Sequence, residues 1–170
     1  MKIELQILDW IQEIHTPLGD AFWVFISKLG NAGMIWIFLT VVMLLIPKTR
    51  KSGLVLAVAL CVDAVLCNGI LKNIVARTRP CDINTSIALL VARPKDFSFP
   101  SGHTAASFAS VFALYFAKER KLWQPALLLA ILMAFSRMYL YVHYPTDILG
   151  GVIVGMIAGY MGYWIVGRRI

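Results

Sequence analysis

Residues 53–76 read GLVLAVALCVDAVLCNGILKNIVA. The stretch is longer than the ~20 apolar residues that carry a helix across a bilayer. It contains Asp63, Asn68 and Lys72, and it closes on Arg77, Arg79 and Pro80. The rest of the chain agrees with a membrane setting. Of 170 residues 59% are hydrophobic and 15% charged, against about 45–50% and about 25% in soluble domains. The expected fold is all-α: one membrane-embedded domain over residues 1–170, a polytopic helix bundle. The net charge of +7 comes from Lys and Arg that punctuate apolar segments. They form no continuous basic stripe, so nucleic acid is not an expected partner. No basic segment followed by an unbroken apolar core and a small-residue cleavage site is present near the N-terminus, so no cleavable signal peptide is expected. Cys61, Cys67 and Cys81 are odd in number and lack metal spacing, and they read as small apolar fillers.

Upstream, residues 2–15 place Ile3, Ile7, Ile11 and Ile14 at helical spacing, with Glu4, Asp9, Gln12 and Glu13 largely elsewhere. That pattern is an amphipathic helix lying in the membrane interface, with Trp10 as its anchor. His15 ends it and reads as a cap or surface residue. Residues 18–29 and 34–46 are apolar, separated by Gly30-Asn31-Ala32-Gly33, and each is short for a span. They call for flanking residues, a thin site or a re-entrant arrangement. Downstream, residues 80–100 form the long polar connection, and further helices are expected over 102–117, 122–141 and 147–166. About six transmembrane helices therefore occupy 18–166.

If the chain crosses at every segment, Lys2, Lys48, Arg50, Lys51, Lys118, Arg120, Lys121, Arg168 and Arg169 share one side, with both termini. The positive-inside rule makes that side the cytoplasm. The opposite side holds Lys28, Lys72, Arg77, Arg79, Arg93, Lys95 and Arg137. So many outer cations need a separate reason, and a bound anion supplies one. Ala105, Ala109, Ala113 and Ala117 recur every four residues, as do Gly151, Gly155 and Gly159. Small residues at this spacing let membrane helices approach closely. If the two stripes face each other, the outer ends of their helices meet.

Three clusters lie at outer helix ends. Lys72 and Arg79 are two helical turns apart, while Arg77 points elsewhere and reads as an interfacial charge. Pro100-Ser101-Gly102-His103 opens a helix, whose free amides and dipole suit an anion, with His103 beside it as a possible proton donor. Ser136-Arg137 is followed by His143 and Asp147. A carboxylate bonded to one imidazole nitrogen fixes the tautomer and leaves the other free as a nucleophile. Taken singly, these clusters have ordinary readings: a snorkelling lysine, an N-cap, a surface ion pair. Together they put two histidines and three cations on one membrane face, a set that suits a phosphoryl group and the charge developing as it transfers. Only Asp147 among the motif residues is a carboxylate, so metal-independent chemistry is expected and no cofactor. Asp63, nine residues before Lys72, reads as making a structural hydrogen bond.

Lys72-x6-Arg79-Pro80, Pro100-Ser101-Gly102-His103 and Ser136-Arg137-x5-His143-x3-Asp147 together resemble the three-part signature of the type 2 phosphatidic acid phosphatase superfamily. The motifs stand in order over residues 72–147. The resemblance implies that His143 attacks phosphorus to form a phosphohistidine, that Asp147 orients His143, and that His103 protonates the leaving oxygen. It implies that Lys72, Arg79, Ser101, Gly102 and Arg137 hold the phosphoryl oxygens, and that water then hydrolyses the intermediate. It further implies a bacterial inner-membrane enzyme with an outward-facing site that acts on a lipid phosphate. Undecaprenyl diphosphate is the first expected substrate. Phosphatidic acid, phosphatidylglycerophosphate, or phosphotransfer to another acceptor are the alternatives.

Overall fold

The computed structural model describes residues 2–167, and every regular element among them is helical. The first is α1 (Lys2–Glu13). Thr16 caps α2 (Pro17–Leu29) by accepting the Gly19 amide, with Pro17 at the first helical position. A tight turn at Asn31–Gly33 leads into α3 (Met34–Leu45). Next, α4 (Arg50–Asp63) runs on through a π-helical segment, Ala64–Leu71, into α5 (Lys72–Val75). After the short α6 (Pro80–Ile83) come the polar connection, α7 (Gly102–Phe116), α8 (Arg120–Tyr139) and α9 (Pro145–Gly167).

Three of these stretches are long and apolar enough to cross a membrane: Arg50–Ile83, Arg120–Tyr139 and Pro145–Gly167. The pair Pro17–Leu29 and Asn31–Leu45 is a fourth if its halves, bent by 47°, form one span. Exposed Phe38, Val65, Leu128, Ile131, Leu149 and Ile153 give the bundle an apolar outer surface, as a lipid-facing protein requires. The core gathers Trp36, Leu56, Leu114 and Ala130, and the Trp36 indole donates to Ser107 Oγ at 3.0 Å.

The small-residue stripes do face each other. Gly151 lies against Ser101 and Thr104, Gly155 against Ala105 and Ala109, and Gly159 against Ala109 and Ala113. Register rises in both helices together, so α7 and α9 are parallel and begin at the same end. A Cβ on Gly155 would stand 2.6 Å from the Ala105 carbonyl oxygen and 2.7 Å from the Ala109 nitrogen, so only glycine permits this backbone approach.

Two expectations change. Residues 18–46 form two helices bent by 47°, which are long and apolar enough to span only when taken together. α2 lies beside the end of α8, where Asp20 accepts from the Tyr139 hydroxyl, and α3 then descends to the turn before α4, where Met43 and Leu44 lie against Gly53. The N-terminus therefore does not share an end with Lys48–Lys51. Instead α1 docks at the end where α7 and α9 begin, burying Leu8 against Cys81, Tyr141 and Tyr144. Several of its polar side chains reach the protein as well: Glu4 accepts from Arg77 at 2.8 Å, Asp9 from the Tyr141 hydroxyl at 2.7 Å, and Gln12 donates to the Tyr139 carbonyl at 3.0 Å. Ile3, Trp10 and Ile14 are exposed, while Leu5 and Ile11 pack inward beside Leu8. His15 stacks on Tyr139 at 3.9 Å and pairs with Asp20. At the other end, Ser52 donates to Glu119 at 2.6 Å, which brings the Lys48–Lys51 and Lys118–Lys121 clusters together. Arg168 and Arg169 lie outside the described residues.

Candidate active site

Where α5 ends and α7 and α9 begin, a cavity of about 830 Å³ opens. Lys72, Arg79, Gly102, His103, Arg137 and His143 line it, so six of the eight residues singled out from sequence face one space. Of the seven cations assigned to this side, Lys28, Lys72, Arg79, Arg93 and Arg137 all line it. An excess of cations around a cavity is an anion site in physical terms. Gly102 keeps room at its floor, since a Cβ there would meet Asn68 Oδ1 at 3.2 Å and Lys72 Nζ at 3.8 Å.

His143 sits in the connection between α8 and α9, 2% exposed. Its Nε2 lies 3.1 Å from Arg79 Nη1 and its Nδ1 3.5 Å from Asp147 Oδ2. A guanidinium only donates, so Nε2 is the acceptor and the imidazole proton sits on Nδ1, facing the carboxylate. Burial first, then the charges of Arg79 and Arg137, outweigh Asp147 and press the His143 imidazole down to about 3. Its Nε2 is thus unprotonated at neutral pH, with its lone pair accepting from Arg79. Asp147, fully buried at the start of α9, also accepts from Ser98 Oγ at 2.5 Å, the Tyr144 amide at 2.9 Å and Arg77 at 2.6 Å.

Residues 52–170 match the PAP2 superfamily. The chain belongs to this superfamily. It is 31% identical over 154 residues to the undecaprenyl-diphosphatase of Sulfolobus acidocaldarius, covering 91% of this chain and 73% of that one. It is likewise 31% identical over 176 residues to the lipid A 4'-phosphatase of Bacteroides thetaiotaomicron, covering 96% and 76%. The crystal structure of Aquifex aeolicus LpxE superposes with a TM-score of 0.82 at 27% identity, over 95% of each chain. The protein is therefore a membrane phosphatase of the PAP2 class, a hydrolase of lipid phosphates.

Within this PAP2 site, some sequence expectations are displaced. Ser101 does not line the cavity. Its Oγ caps α7, accepting from the Thr104 hydroxyl at 2.9 Å and the Thr104 amide at 3.4 Å. Its amide donates to the Asp147 carbonyl at 3.1 Å, which ties the starts of α7 and α9 together. Arg77 is no interfacial charge. It joins Asp147 to Glu4 of α1 and stacks on the Tyr144 ring at 4.0 Å. His103 is held by Asn31, whose Oδ1 lies 3.1 Å from its Nε2. Asn31 is in the turn between α2 and α3, so the N-terminal third of the chain supplies part of the site.

Asp96 is a further arrival. It pairs with both Lys72 and Arg79. Burial opposes its ionisation, but hydrogen bonds and charge from Lys72 and Arg79 prevail and hold its carboxyl at about 2. Every donor of Arg79 is engaged: by the Asp96 carbonyl and carboxylate, the Phe97 and Val142 carbonyls, and His143. Arg137 differs. Its guanidinium donates to Ser27 Oγ, while its buried Nε has no partner. Among the described residues no group of three or more His, Cys, Asp or Glu is arranged to hold a metal.

Proposed function

We propose that the chain removes a terminal phosphate from a membrane lipid by covalent transfer through His143. The observation that supports this most is the Arg79–His143–Asp147 line. It keeps the Nε2 lone pair unprotonated and aimed at Arg79, on the wall of a cavity ringed with cations, where a phosphoryl group that takes over the Arg79 donor meets it. In the first step Nε2 bonds to phosphorus, the bond to the bridging oxygen breaks, and that oxygen takes a proton from His103. In the second step water attacks phosphorus and gives its proton to His103, and the P–N bond breaks to release inorganic phosphate. Lys72, Arg79, Arg137 and the first amides of α7 hold the phosphoryl oxygens, and no metal takes part.

Sequence similarity to an undecaprenyl-diphosphatase favours undecaprenyl diphosphate as substrate. A second reading, a phosphate ester of a hydroxylated lipid such as phosphatidylglycerophosphate, is favoured by the carboxyl of Asp63 in the cavity. Phosphate release from a panel of both, with phosphatidic acid, tests the function. Activity is expected to survive EDTA and to fall with vanadate, and loss on chelation would overturn the metal-free route. We place the site on the outer face of a bacterial inner membrane, because Lys48–Lys51 and Lys118–Lys121 gather at the other end. A cysteine introduced beside Asp96 should then react with an impermeant maleimide from outside, and labelling from the cytoplasm alone inverts the orientation.

Asp96 occupies donors that a phosphoryl group needs, so substrate must replace it. Its carboxylate is half exposed, and such pairs are worth about 1 kcal/mol or less. Asp96→Asn should therefore tighten vanadate inhibition by up to roughly fivefold. Weaker inhibition would mean that Asp96 instead holds Lys72 and Arg79 in place.

A further inference from the structure

Asp63 is a polar group that the phosphoryl site does not use. It ends α4, is 3% exposed, and its Oδ1 has no hydrogen-bond partner. The structural hydrogen bond expected of it is therefore absent at this atom. A buried acceptor left unpaired is costly and calls for an explanation. Asp63 does not face an apolar core. It lines the same cavity as Lys72 and His103.

An unbroken α-helix forbids that placement. Residues nine apart are two and a half turns apart at 3.6 residues per turn, on opposite faces. The π-helical segment Ala64–Leu71 lies between Asp63 and Lys72, and i→i+5 bonding takes up roughly one extra residue per turn. The phase shift brings both side chains to the cavity. π-Helical segments are rare and concentrate at functional sites. Asn68, inside the segment, lines the cavity as well.

Leu60, Ile37, Ala64 and Ala106 also line the cavity, and Ala106 lies one turn beyond His103 on α7. The lining thus continues along α7 past the histidine assigned to the leaving oxygen. A phosphate fills only a small part of about 830 Å³.

We propose that Asp63 and Asn68 read the leaving group. An acceptor carboxyl and a side-chain amide, set among the apolar lining residues Leu60, Ile37, Ala64 and Ala106, fit a hydrogen-bond donor on the alcohol portion of the substrate. That donor is a free hydroxyl close to the scissile ester, as in a phosphoglycerol or phosphosugar lipid. The same carboxyl disfavours a diphosphate, whose leaving oxygen belongs directly to a second phosphate. Both residues set specificity and take no part in bond making. The assignment rests on the phosphoryl-transfer reading above, with His103 at the leaving oxygen.

The test compares kcat/KM of the full chain in detergent micelles on phosphatidylglycerophosphate and on its analogue lacking the free glycerol hydroxyl. The unaltered enzyme should favour the hydroxylated lipid by roughly 10–100-fold, as sites built to bond a hydroxyl do. Asp63→Asn should keep its rate on the analogue within about threefold and lose most of the preference. Asn68→Ala should lose part of it. Equal rates of the unaltered enzyme on both lipids overturn the proposal, as does an Asp63→Asn variant that slows both alike. If neither lipid is cleaved while undecaprenyl diphosphate is, the leaving-group assignment fails and the phosphatase reading stands. If no lipid phosphate is cleaved, both fall.

Discussion

His143→Ala should abolish turnover, with phosphate release falling by roughly 10⁵-fold or more, the scale of losing a covalent nucleophile. The reason is geometric. Arg79 Nη1 lies 3.1 Å from one ring nitrogen and Asp147 Oδ2 3.5 Å from the other, and no other imidazole is so placed. His103, the other cavity histidine, is engaged by Asn31 instead. The variant should still fold. Arg79 keeps its bonds to Val142, Phe97 and Asp96, and Asp147 keeps Ser98, Tyr144 and Arg77. The decisive measurement is labelling. Quenching with a substrate radiolabelled in its terminal phosphate should leave an acid-labile, alkali-stable phosphoprotein, and His143→Ala should leave none. Label that persists in the variant moves the nucleophile elsewhere, with His103 next in line. A pH signature accompanies this. Because burial and the neighbouring guanidinium groups press His143 down to about 3, the neutral, nucleophilic form persists as pH falls through 6 and 5. Any acid limb of kcat/KM in that range belongs to the substrate phosphate. A limb that His143 substitution alone displaces would contradict the assignment.

How much of this was legible in the sequence follows from which interactions are local. Arg79, His103, Arg137, His143 and Asp147 stood out because each lies within two residues of Pro80, Gly102, Ser136 or Pro145 at a helix end, and Lys72 because it precedes Arg79 by seven. The α7–α9 contact was readable because glycine and alanine stripes at intervals of four mark backbone approach. What escaped depends on contacts far apart in sequence. Arg77 is one residue among several outer cations until Glu4, 73 positions away, and Asp147, 70 positions away, are seen to flank it. Asp96 looked like any loop acid, and only folding of the 80–100 connection brings it between Lys72 and Arg79. Asn31 read as a turn former, and its bond to His103 spans 72 positions. Asp63 read as making a structural hydrogen bond because nothing local marks residues 64–71 as π-helical, and that segment is what brings it to the cavity. Glu4, Asp9 and Gln12 of α1 gave no local sign of the Arg77, tyrosine hydroxyl and main-chain carbonyl that they meet.

Asp147→Asn should lower kcat by roughly 10³–10⁴-fold while leaving KM within about threefold, the pattern of a residue that acts through another. Asp147 touches no phosphoryl group. Its Oδ2 receives donors from Ser98 and Tyr144 and faces the Nδ1 proton of His143, and its Oδ1 receives Arg77. An amide cannot satisfy both sides. With its NH₂ toward Arg77, two donors oppose each other in a buried place. With its NH₂ toward His143, Nδ1 must become the acceptor, the ring proton moves to Nε2, and the lone pair that attacks phosphorus is lost. Either orientation removes the carboxylate that stabilises positive charge as Nε2 bonds to phosphorus. Glu4→Gln is the matched control, because Glu4 meets the same Arg77 from the side away from His143. That change should move kcat by only a few-fold, in keeping with a partly exposed ion pair. Thermal melting in detergent should show both variants folded. If Glu4→Gln cost as much kcat as Asp147→Asn, Arg77 and not the His143 tautomer would be the point of control. If Asp147→Asn raised KM as steeply as it lowered kcat, Asp147 would be acting on substrate binding instead of on the nucleophile.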